Sequence, residues 1–387
     1  MDDQTTANDT PAASGAVSPR GAYGDAARDE SADIGTDIVA AQRQEPFLRN
    51  LWYFAMPARQ LRPGALVAKT LLGEPLVFAR DTDGNPFALI DICPHRGIPL
   101  SYGRMQAGDV ECCYHGWRFA ADGRCTAIPS LVQGQKLDTA RIKVRTYPCR
   151  EVQGNIWIFM ADKGGDPAVA PDIPVLPGVD AAQIHISDSL RFPCHIDHAV
   201  VGLMDPAHGP FVHQSWWWRP SRSAYEKAKH FEPSTLGFTM SRHRPSSNSR
   251  AYKLLGGTPQ TEISFRLPGI RIEHIEAGRH VLCNLTAVTP ITERETEVNH
   301  VIYWTLPWLT PLTPILRRFA RAFLEQDRHV VIMQQEGLKH KPNLMLIDDA
   351  DRQAKWYYRL KREWALSQSE RRPFHNPVIA RTLRWRS

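Results

Sequence analysis

Two short motifs, each with one cysteine and one histidine, constrain the fold of this chain more than any other feature. Cys93 and His95 form a Cys-x-His motif, and Cys112 and His115 form a Cys-x-x-His motif further along. Thiolates and imidazoles are metal ligands, so the chain must fold in a way that brings two ligand loops together. The segments around them, at 76–79, 87–90 and 156–159, have the composition of short β-strands bounded by turn residues. We predict a small all-β domain over residues 45–165.

The ligand pattern identifies the metal group expected at these loops. A Rieske [2Fe-2S] cluster needs two thiolates on one iron and two imidazoles on the other, which two mixed Cys/His loops supply. A structural zinc site with the same four ligands is the alternative, but zinc fingers pair Cys with Cys and His with His. Cys113 adjoins the second motif, yet only Cys112 has the right spacing to His115, so Cys113 is interpreted as a bystander.

Length and composition place the chain among globular proteins with two domains. It has 387 residues, of which 42% are hydrophobic and 23% charged. No apolar run is long enough to cross a bilayer, and the seven cysteines are an odd number typical of a reducing compartment, so we expect a cytoplasmic protein. Residues 1–44 are acidic and poor in aromatic side chains, which predicts a disordered tail.

A second candidate metal site follows a Gly- and Pro-rich linker, in an α+β domain predicted over residues 166–387. Asp205, His208 and His213 form the pattern Asp-x2-His-x4-His. Two imidazoles and one carboxylate on one face of ferrous iron leave positions open for O2 and substrate. A competing pair is His195 and His198. We expect a strand through residues 185–196, on which that pair would lie on opposite faces.

The carboxylate ligand must come from elsewhere in the chain. Residues 315–338 have helical periodicity, and Asp327 lies on the apolar stripe of that predicted helix, whereas Glu325 falls on its polar face. A carboxylate buried without a partner is costly, so a metal explains Asp327, and a buried salt bridge to an arginine is the alternative.

Taken together, residues 47–338 resemble the Rieske non-haem iron oxygenase family, and most closely its O-demethylase and hydroxylase branch with α-subunits alone. The resemblance rests on both motifs and on segments 51–53, 93–100, 114–119, 154–157 and 203–213. It implies a Rieske domain followed by a helix-grip catalytic domain, in which an antiparallel sheet wraps around a long helix. It also implies that Cys93, His95, Cys112 and His115 hold the [2Fe-2S] cluster, that His208, His213 and Asp327 hold a mononuclear Fe(II), and that Asp205 links the two centres.

The same resemblance implies a function and partners. We expect a terminal oxygenase, arranged as a head-to-tail homotrimer, that takes electrons from a separate NAD(P)H reductase or ferredoxin and hydroxylates or demethylates a hydrophobic aromatic or polycyclic substrate. A cis-dihydroxylating dioxygenase and a non-catalytic Rieske electron carrier are the alternatives. Tryptophans at 216–218, 304 and 308 indicate an apolar pocket or lid, core packing, or a membrane-surface segment. Nucleic-acid motifs are absent from the sequence.

Overall fold

The structure is a computed structural model that describes residues 47–162, 165–213, 225–245 and 258–387. The predicted tail at 1–44 and the tryptophans at 216–218 lie outside these ranges. Among the described residues, no helix is long and apolar enough to span a membrane.

The N-terminal part is built from short antiparallel strands in three small sheets. The strands are β1 (Leu51–Pro57), β2 (Val67–Leu71), β3 (Glu74–Arg80), β4 (Pro86–Ile90), β5 (Arg104–Gln106), β6 (Asp109–Glu111), β7 (Arg118–Phe119), β8 (Cys125–Ala127), β9 (Thr146–Tyr147), β10 (Cys149–Val152) and β11 (Asn155–Met160). The strand orders in the three sheets are β1-β11-β10, β2-β3-β4-β9 and β5-β6-β7-β8. The three strands predicted at 76–79, 87–90 and 156–159 are present as β3, β4 and β11.

Strand β3 shows how apolar burial stabilises the N-terminal part of the chain. Its side chains alternate between two apolar clusters, with Leu76 and Phe78 in one and Val77 and Ala79 in the other. All four are fully buried, so the strand is covered on both faces. The second cluster contains Cys93 and Cys112, which places the predicted ligand loops on a rigid base.

The C-terminal part contains an eight-stranded antiparallel sheet. Its strands are β12 (Ile184–Phe192), β13 (Glu226–Ser234), β14 (Gly237–His243), β15 (Gln260–Arg266), β16 (Ile270–Ala277), β17 (His280–Thr292), β18 (Glu295–Trp304) and β19 (Arg381–Arg386). Their order in the sheet is β12-β18-β17-β16-β15-β14-β13-β19. Among the described residues, no strand up to Met160 pairs into this sheet. The boundary between residues 165 and 166 stays a prediction.

Helices cover one face of this sheet. They are α1 (Ile196–Met204), α2 (Gly209–Val212), α3 (Thr313–Leu338) and α4 (Arg352–Ser369). Short 3-10 segments occur in both parts of the described chain, at Ala58–Gln60, Leu100–Tyr102, Thr139–Arg141, Pro167–Val169, Ala181–Gln183 and Pro307–Leu312. The predicted long helix is present as α3. The architecture is therefore the expected α+β arrangement, a small all-β domain followed by an antiparallel sheet that packs on helices.

Strand β16 illustrates how the large sheet separates two environments. Ile270 and Ile272 pack with Trp52 and Phe54 of β1, so this face is buried against the N-terminal sheets. The intervening residues of the strand point to the opposite face, toward the helices. That second face forms the floor of a cavity.

The strand expected through residues 185–196 is wrong beyond Phe192, where β12 ends. His195 caps α1, its Nδ1 accepting a hydrogen bond of 3.2 Å from the main-chain N–H of Asp197. His198 lies within α1. The chain turns into a helix here because a cap with extended backbone precedes an apolar run, and the periodicity of a strand does not apply. Helix α1 therefore accounts for the positions of both His195 and His198.

Candidate active site

The two predicted cluster loops have the same main-chain design. The N–H of Gly97 donates to the carbonyl of Cys93 (2.9 Å), and the N–H of Gly116 donates to the carbonyl of Cys112 (3.0 Å). Both glycines have positive φ, 74° and 70°, a conformation that side-chain-bearing residues rarely adopt. Each loop therefore folds back at its glycine. In the first loop Gly97 lies two residues after His95, and in the second loop Gly116 directly follows His115.

In both loops the cysteine thiol is buried, whereas the histidine ring lies nearer the surface. Cys93 and Cys112 are buried, and their thiols lie within hydrogen-bonding reach of each other. The rings of His95 and His115 lie nearer the surface, with centroids 4.5 Å apart. Burial, the largest cause, raises the pKa of the Cys93 thiol to about 11, so a bound metal cation would be needed to hold it as a thiolate at neutral pH. Two inner thiols and two outer imidazoles fit a [2Fe-2S] cluster with mixed ligands.

Cys113 points away from this arrangement. It is exposed, and all seven cysteines of the chain, each within the described ranges, are free of disulfides.

The second site lies where α1 ends and α2 and α3 meet. Asp205 is the C-cap of α1, His208 and His213 flank α2, and Asp327 projects from the middle of α3. The ligand atoms of His208, His213 and Asp327 all lie within 4.8 Å of one another. The structure therefore brings together the three residues that the sequence predicted as iron ligands, although they come from two separate segments of the chain.

The distances within this group have the scale of a coordination sphere. The Nε2 atoms of His208 and His213 are 3.0 Å apart. The Oδ1 atom of Asp327 is 3.2 Å from Nε2 of His213 and 3.6 Å from Nε2 of His208. Ligand bonds of about 2.1 Å at right angles place neighbouring ligand atoms about 3 Å apart. The three residues fit a mononuclear metal with open positions.

Hydrogen bonds to the other ring nitrogens fix both imidazoles. Nδ1 of His208 donates to the main-chain carbonyl of Asp205 (2.7 Å), and Nδ1 of His213 donates to Oε1 of Gln326 (3.0 Å). Both Nε2 lone pairs are thereby left to face Asp327. The ring of His213 also stacks on Phe323, with centroids 3.6 Å apart. Partners of this kind orient metal-binding histidines and fix their tautomers.

The carboxylate of Asp205 lies beside the ring of His208 without a hydrogen bond to it. Its Oδ1 accepts from the N–H of Ala207 (2.7 Å), while Oδ2 is 3.8 Å from Nδ1 of His208. The main chain of Asp205, and not its side chain, holds His208. With about a third of its side chain exposed, the carboxylate is accessible beside the metal ligands.

Burial sets the protonation state of His208. Desolvation is the largest influence and lowers its pKa, with the neighbouring Asp327 carboxylate acting in the opposite direction. A neutral imidazole is the form that binds a metal.

A cavity of about 630 Å³ opens beside His208 and Asp327. Its roof is the face of α3 that carries Phe319 and Phe323, and its floor is the large sheet. Trp304 and Leu309 belong to its wall, whereas Trp308 is exposed. The segment around Trp304 and Leu309, for which a pocket or lid was one of the expectations, thus contributes to the cavity lining. The volume lies in the range of small-molecule sites.

Sequence reasoning missed Gln326 and the end of the chain. A signal for Gln326 existed, because the free nitrogen of a ligand histidine needs a partner and Gln326 precedes Asp327 on the helix. Helix α4 and strand β19 were not predicted, yet Gln353 of that helix and Trp385 of that strand line the cavity.

Glu325 lies on the outer face of α3, as the helical periodicity predicted, and forms ion pairs with Arg321 and Arg328.

Family models match both halves of the chain. Residues 51–148 match the Rieske [2Fe-2S] domain, and residues 192–365 match the vanillate O-demethylase oxygenase C-terminal domain. The chain belongs to the Rieske oxygenases. The second match extends past α3 through most of α4, beyond the end of the resemblance recognised in the sequence.

Individual Rieske oxygenases and a solved structure agree with this assignment. The chain is 37% identical over 179 residues to chlorophyllide a oxygenase of Chlamydomonas reinhardtii, covering 46% of this chain and 26% of that protein. It is 36% identical over 170 residues to the oxygenase component of dicamba O-demethylase from Stenotrophomonas maltophilia, covering 44% and 48%. The crystal structure of dicamba monooxygenase bound to dicamba superposes with a TM-score of 0.68 at 24% identity, covering 84% of this chain and 99% of that one.

These matches show the family and the fold. The matched part spans between about a quarter and a half of the curated relatives named above. The first family match is to a [2Fe-2S] domain, and a solved structure of dicamba monooxygenase with the same fold, 22% identical to this chain, contains non-haem iron and dicamba. The mixed Cys/His loops fit a [2Fe-2S] cluster in ligand type, and the group of His208, His213 and Asp327 fits a mononuclear iron in ligand type and in the distances between ligand atoms.

Proposed function

We propose that this chain is the terminal oxygenase component of a multi-component system. It uses O2 and electrons from a separate NAD(P)H-dependent reductase or ferredoxin to hydroxylate or oxidatively demethylate a hydrophobic aromatic or polycyclic substrate. The observation that carries the proposal is the opening of the His208, His213 and Asp327 group onto an apolar cavity of about 630 Å³. A Rieske electron carrier has no use for a second metal site beside a cavity.

Each site residue has a role in this proposal. Cys93, His95, Cys112 and His115 hold the [2Fe-2S] cluster, and His208, His213 and Asp327 hold the mononuclear iron. When bound, these groups supply electron transfer and reductive activation of O2. The chain itself orients the two imidazoles, excludes water from the cavity with its apolar roof, and holds the substrate carbon near the triad.

Asp205 is proposed as the residue that couples the two centres. It follows α1 directly, its main chain fixes His208, and its carboxylate is partly exposed next to that ring. A carboxylate in this position is able to accept a hydrogen bond from an imidazole of a neighbouring subunit's cluster. A head-to-tail homotrimer would bring such a cluster to it, and this assembly is part of the proposal.

Electron supply and location belong to the proposal as well. The described fold holds a Rieske domain and a sheet-and-helix domain, and the sequence lacks a dinucleotide-binding glycine motif after a strand. This supports a separate reductase. Seven unpaired cysteines support a reducing compartment, for which we propose the cytoplasm.

Monooxygenation is favoured over cis-dihydroxylation. The C-terminal match is to a vanillate O-demethylase domain, and one relative is named an O-demethylase. A relative named 3-chlorobenzoate-3,4-dioxygenase oxygenase subunit, 31% identical over 182 residues, keeps the dihydroxylase as the second candidate.

The test is turnover of the purified protein with NADH and a reductase in the presence of ¹⁸O2, followed by mass spectrometry. Aromatic ethers, arenes and polycyclic alcohols serve as the substrate panel. We expect products that carry one labelled oxygen atom, or that have lost a methyl group. Two labelled atoms on adjacent carbons would favour the dihydroxylase, and NADH-driven reduction of the cluster without oxygenation of any panel member would favour the electron carrier.

A further inference from the structure

The segment that leads into α3 carries large apolar side chains on the outside of the protein. Trp308 is 46% exposed, Leu312 41% and Ile315 54%. They are four and three residues apart on the continuous run of the last 3-10 segment and α3, a spacing that places side chains on one side of a helix. We call this surface the outer patch, and it also includes the exposed prolines Pro307, Pro311 and Pro314.

The opposite side of the same segment lines the cavity. Leu309 and Leu316 belong to the cavity wall, and they pack with the buried side chains of Ile186 and Trp304. A single helical segment therefore separates the outer patch from the cavity beside the proposed iron ligands. The inner side chains explain the position of the segment. The exposed apolar side chains need another explanation, because apolar groups gathered on a surface mark interaction sites.

Several polar groups of this segment are paired within it. Nε1 of Trp304 donates to Oγ1 of Thr310 (3.3 Å), and Oγ1 of Thr313 donates to the main-chain carbonyl of Thr310 (2.6 Å). The three prolines have no main-chain N–H that could be left unpaired. Unpaired polar groups are what makes the transfer of a chain segment from water to an apolar phase costly. The outer patch is therefore suited to contact with hydrocarbon.

Cations border the outer patch. Residues 301–324 contain no acidic residue, and their charged side chains are Arg317, Arg318 and Arg321. Asp188 accepts a hydrogen bond of 2.8 Å from Arg317 and lies 4.0 Å from Arg321, so those charges are partly offset. Arg318 is exposed and forms no ion pair with another described residue. An exposed guanidinium beside apolar side chains complements an anionic, partly apolar surface.

From this arrangement we infer that the outer patch docks the protein on the surface of an anionic phospholipid bilayer. Trp308, Leu312 and Ile315 enter the boundary between headgroups and acyl chains, and Arg318 contacts lipid phosphates. A second copy of this chain suits the patch less well, because two outer patches face to face would bring like charges together. The docking agrees with the proposed cytoplasmic location, since the cytoplasmic leaflet carries negative charge. The cavity then lies directly behind the layer in which apolar molecules dissolve.

Vesicle flotation with the full, cofactor-loaded chain tests the docking. The probes are vesicles of phosphatidylcholine alone and of an equimolar mixture of phosphatidylcholine and phosphatidylglycerol. We expect binding to the mixed vesicles to be at least about fivefold tighter than to the neutral ones, and to weaken at high salt. No binding to the mixed vesicles, or equal binding to both kinds, would overturn the inference. Binding is read without turnover, so this failure would leave the proposed oxygenase function standing.

Variants locate the contact on the outer patch. Trp308→Ser should weaken binding to the mixed vesicles at least about tenfold, because the largest inserted side chain is lost. Its control is Ile379→Ser, which removes a 76% exposed side chain next to the edge strand β19 and should bind like wild type. Equal weakening in the two variants would contradict the assignment.

The charged part of the contact has its own pair of variants. Arg318→Gln should weaken binding to the mixed vesicles about fivefold and leave binding to neutral vesicles unchanged. Arg294→Gln removes an exposed cation at the other end of β18 and should have no such effect. Circular dichroism verifies folding, and light scattering without lipid gives the oligomeric state, which Trp308→Ser should share with wild type. A smaller assembly in Trp308→Ser would show that a second copy covers the patch, against the inference.

Discussion

Nε2 of His208 and Nε2 of His213 face each other at 3.0 Å, each ring held by a hydrogen bond to its other nitrogen. Two nitrogen lone pairs this close repel each other unless a proton or a cation lies between them. Oδ1 of Asp327 adds a third potential metal-ligand atom within 3.6 Å of both nitrogens. This convergence supports the proposal that the mononuclear iron binds here, and it yields predictions for the residues around it.

Replacement of the carboxylate should remove this iron selectively. We expect Asp327→Ala to lose the mononuclear iron and all oxygenation while it keeps the visible absorption of the [2Fe-2S] cluster. Glu325→Ala is the control on the same helix. Its carboxylate lies outside the site in ion pairs with Arg321 and Arg328, which contribute at most about 1 kcal/mol at this exposure. Equal iron in wild type and Asp327→Ala would show that another residue is the ligand.

Gln326 is predicted to act through His213. The variant Gln326→Leu leaves Nδ1 of His213 without its acceptor, which we expect to weaken iron binding about 10- to 100-fold. Gln326→Glu retains an acceptor and should restore most of the affinity. Iron is titrated into apoprotein that still carries its cluster. Equal weakening in both variants would argue that packing, and not the hydrogen bond, is responsible.

Asp205→Asn should separate metal binding from catalysis. The amide keeps an oxygen that can accept from Ala207, and the main-chain carbonyl still holds His208, so both cofactors should remain. Coupled turnover should fall about 10- to 100-fold because the charged link between centres is gone. Asp351→Asn, a nearby carboxylate that bonds the main chain of Ile347, should leave turnover unchanged. Loss of iron from Asp205→Asn would mean that this carboxylate is a ligand.

A buried ion pair between α1 and α4 should govern acid stability. Nζ of Lys361 donates to the fully buried Asp197 at 2.6 Å, and Tyr357 donates to the same oxygen. Burial opposes ionisation of Asp197, but Lys361 and His195 outweigh it and hold its pKa below the ordinary value. A depressed folded-state pKa stabilises the protein above the unfolded value of about 3.9, and that contribution is lost as pH falls through the folded value.

Lys361→Met leaves this carboxylate buried without its cation. The expected cost is about 3–5 kcal/mol at pH 7, read as a lower Tm, and the difference from wild type should shrink toward pH 4 as Asp197 takes up a proton. Arg242→Gln, which breaks an exposed pair with Glu276, should cost at most about 1 kcal/mol and serves as control. Equal effects of the two variants would refute the role of the buried pair.

The parts of the molecule that could be predicted from sequence are those set by local pattern. The loops at Cys93 and Cys112 have a fixed spacing, and Asp327 was found because helical periodicity assigns each residue of α3 to a face. His195 was misplaced because its segment reads as a strand until the helix cap is recognised. The pairing of Glu273 with Asn284 depends on long-range strand register, which one sequence does not reveal.

Iron and acid-labile sulfide, quantified together per chain of purified protein, test the central claim most directly. A mixed-ligand cluster at Cys93, His95, Cys112 and His115 plus iron at His208, His213 and Asp327 predicts about three iron atoms and about two sulfides per chain. Zinc in place of iron, with no acid-labile sulfide, would contradict the account.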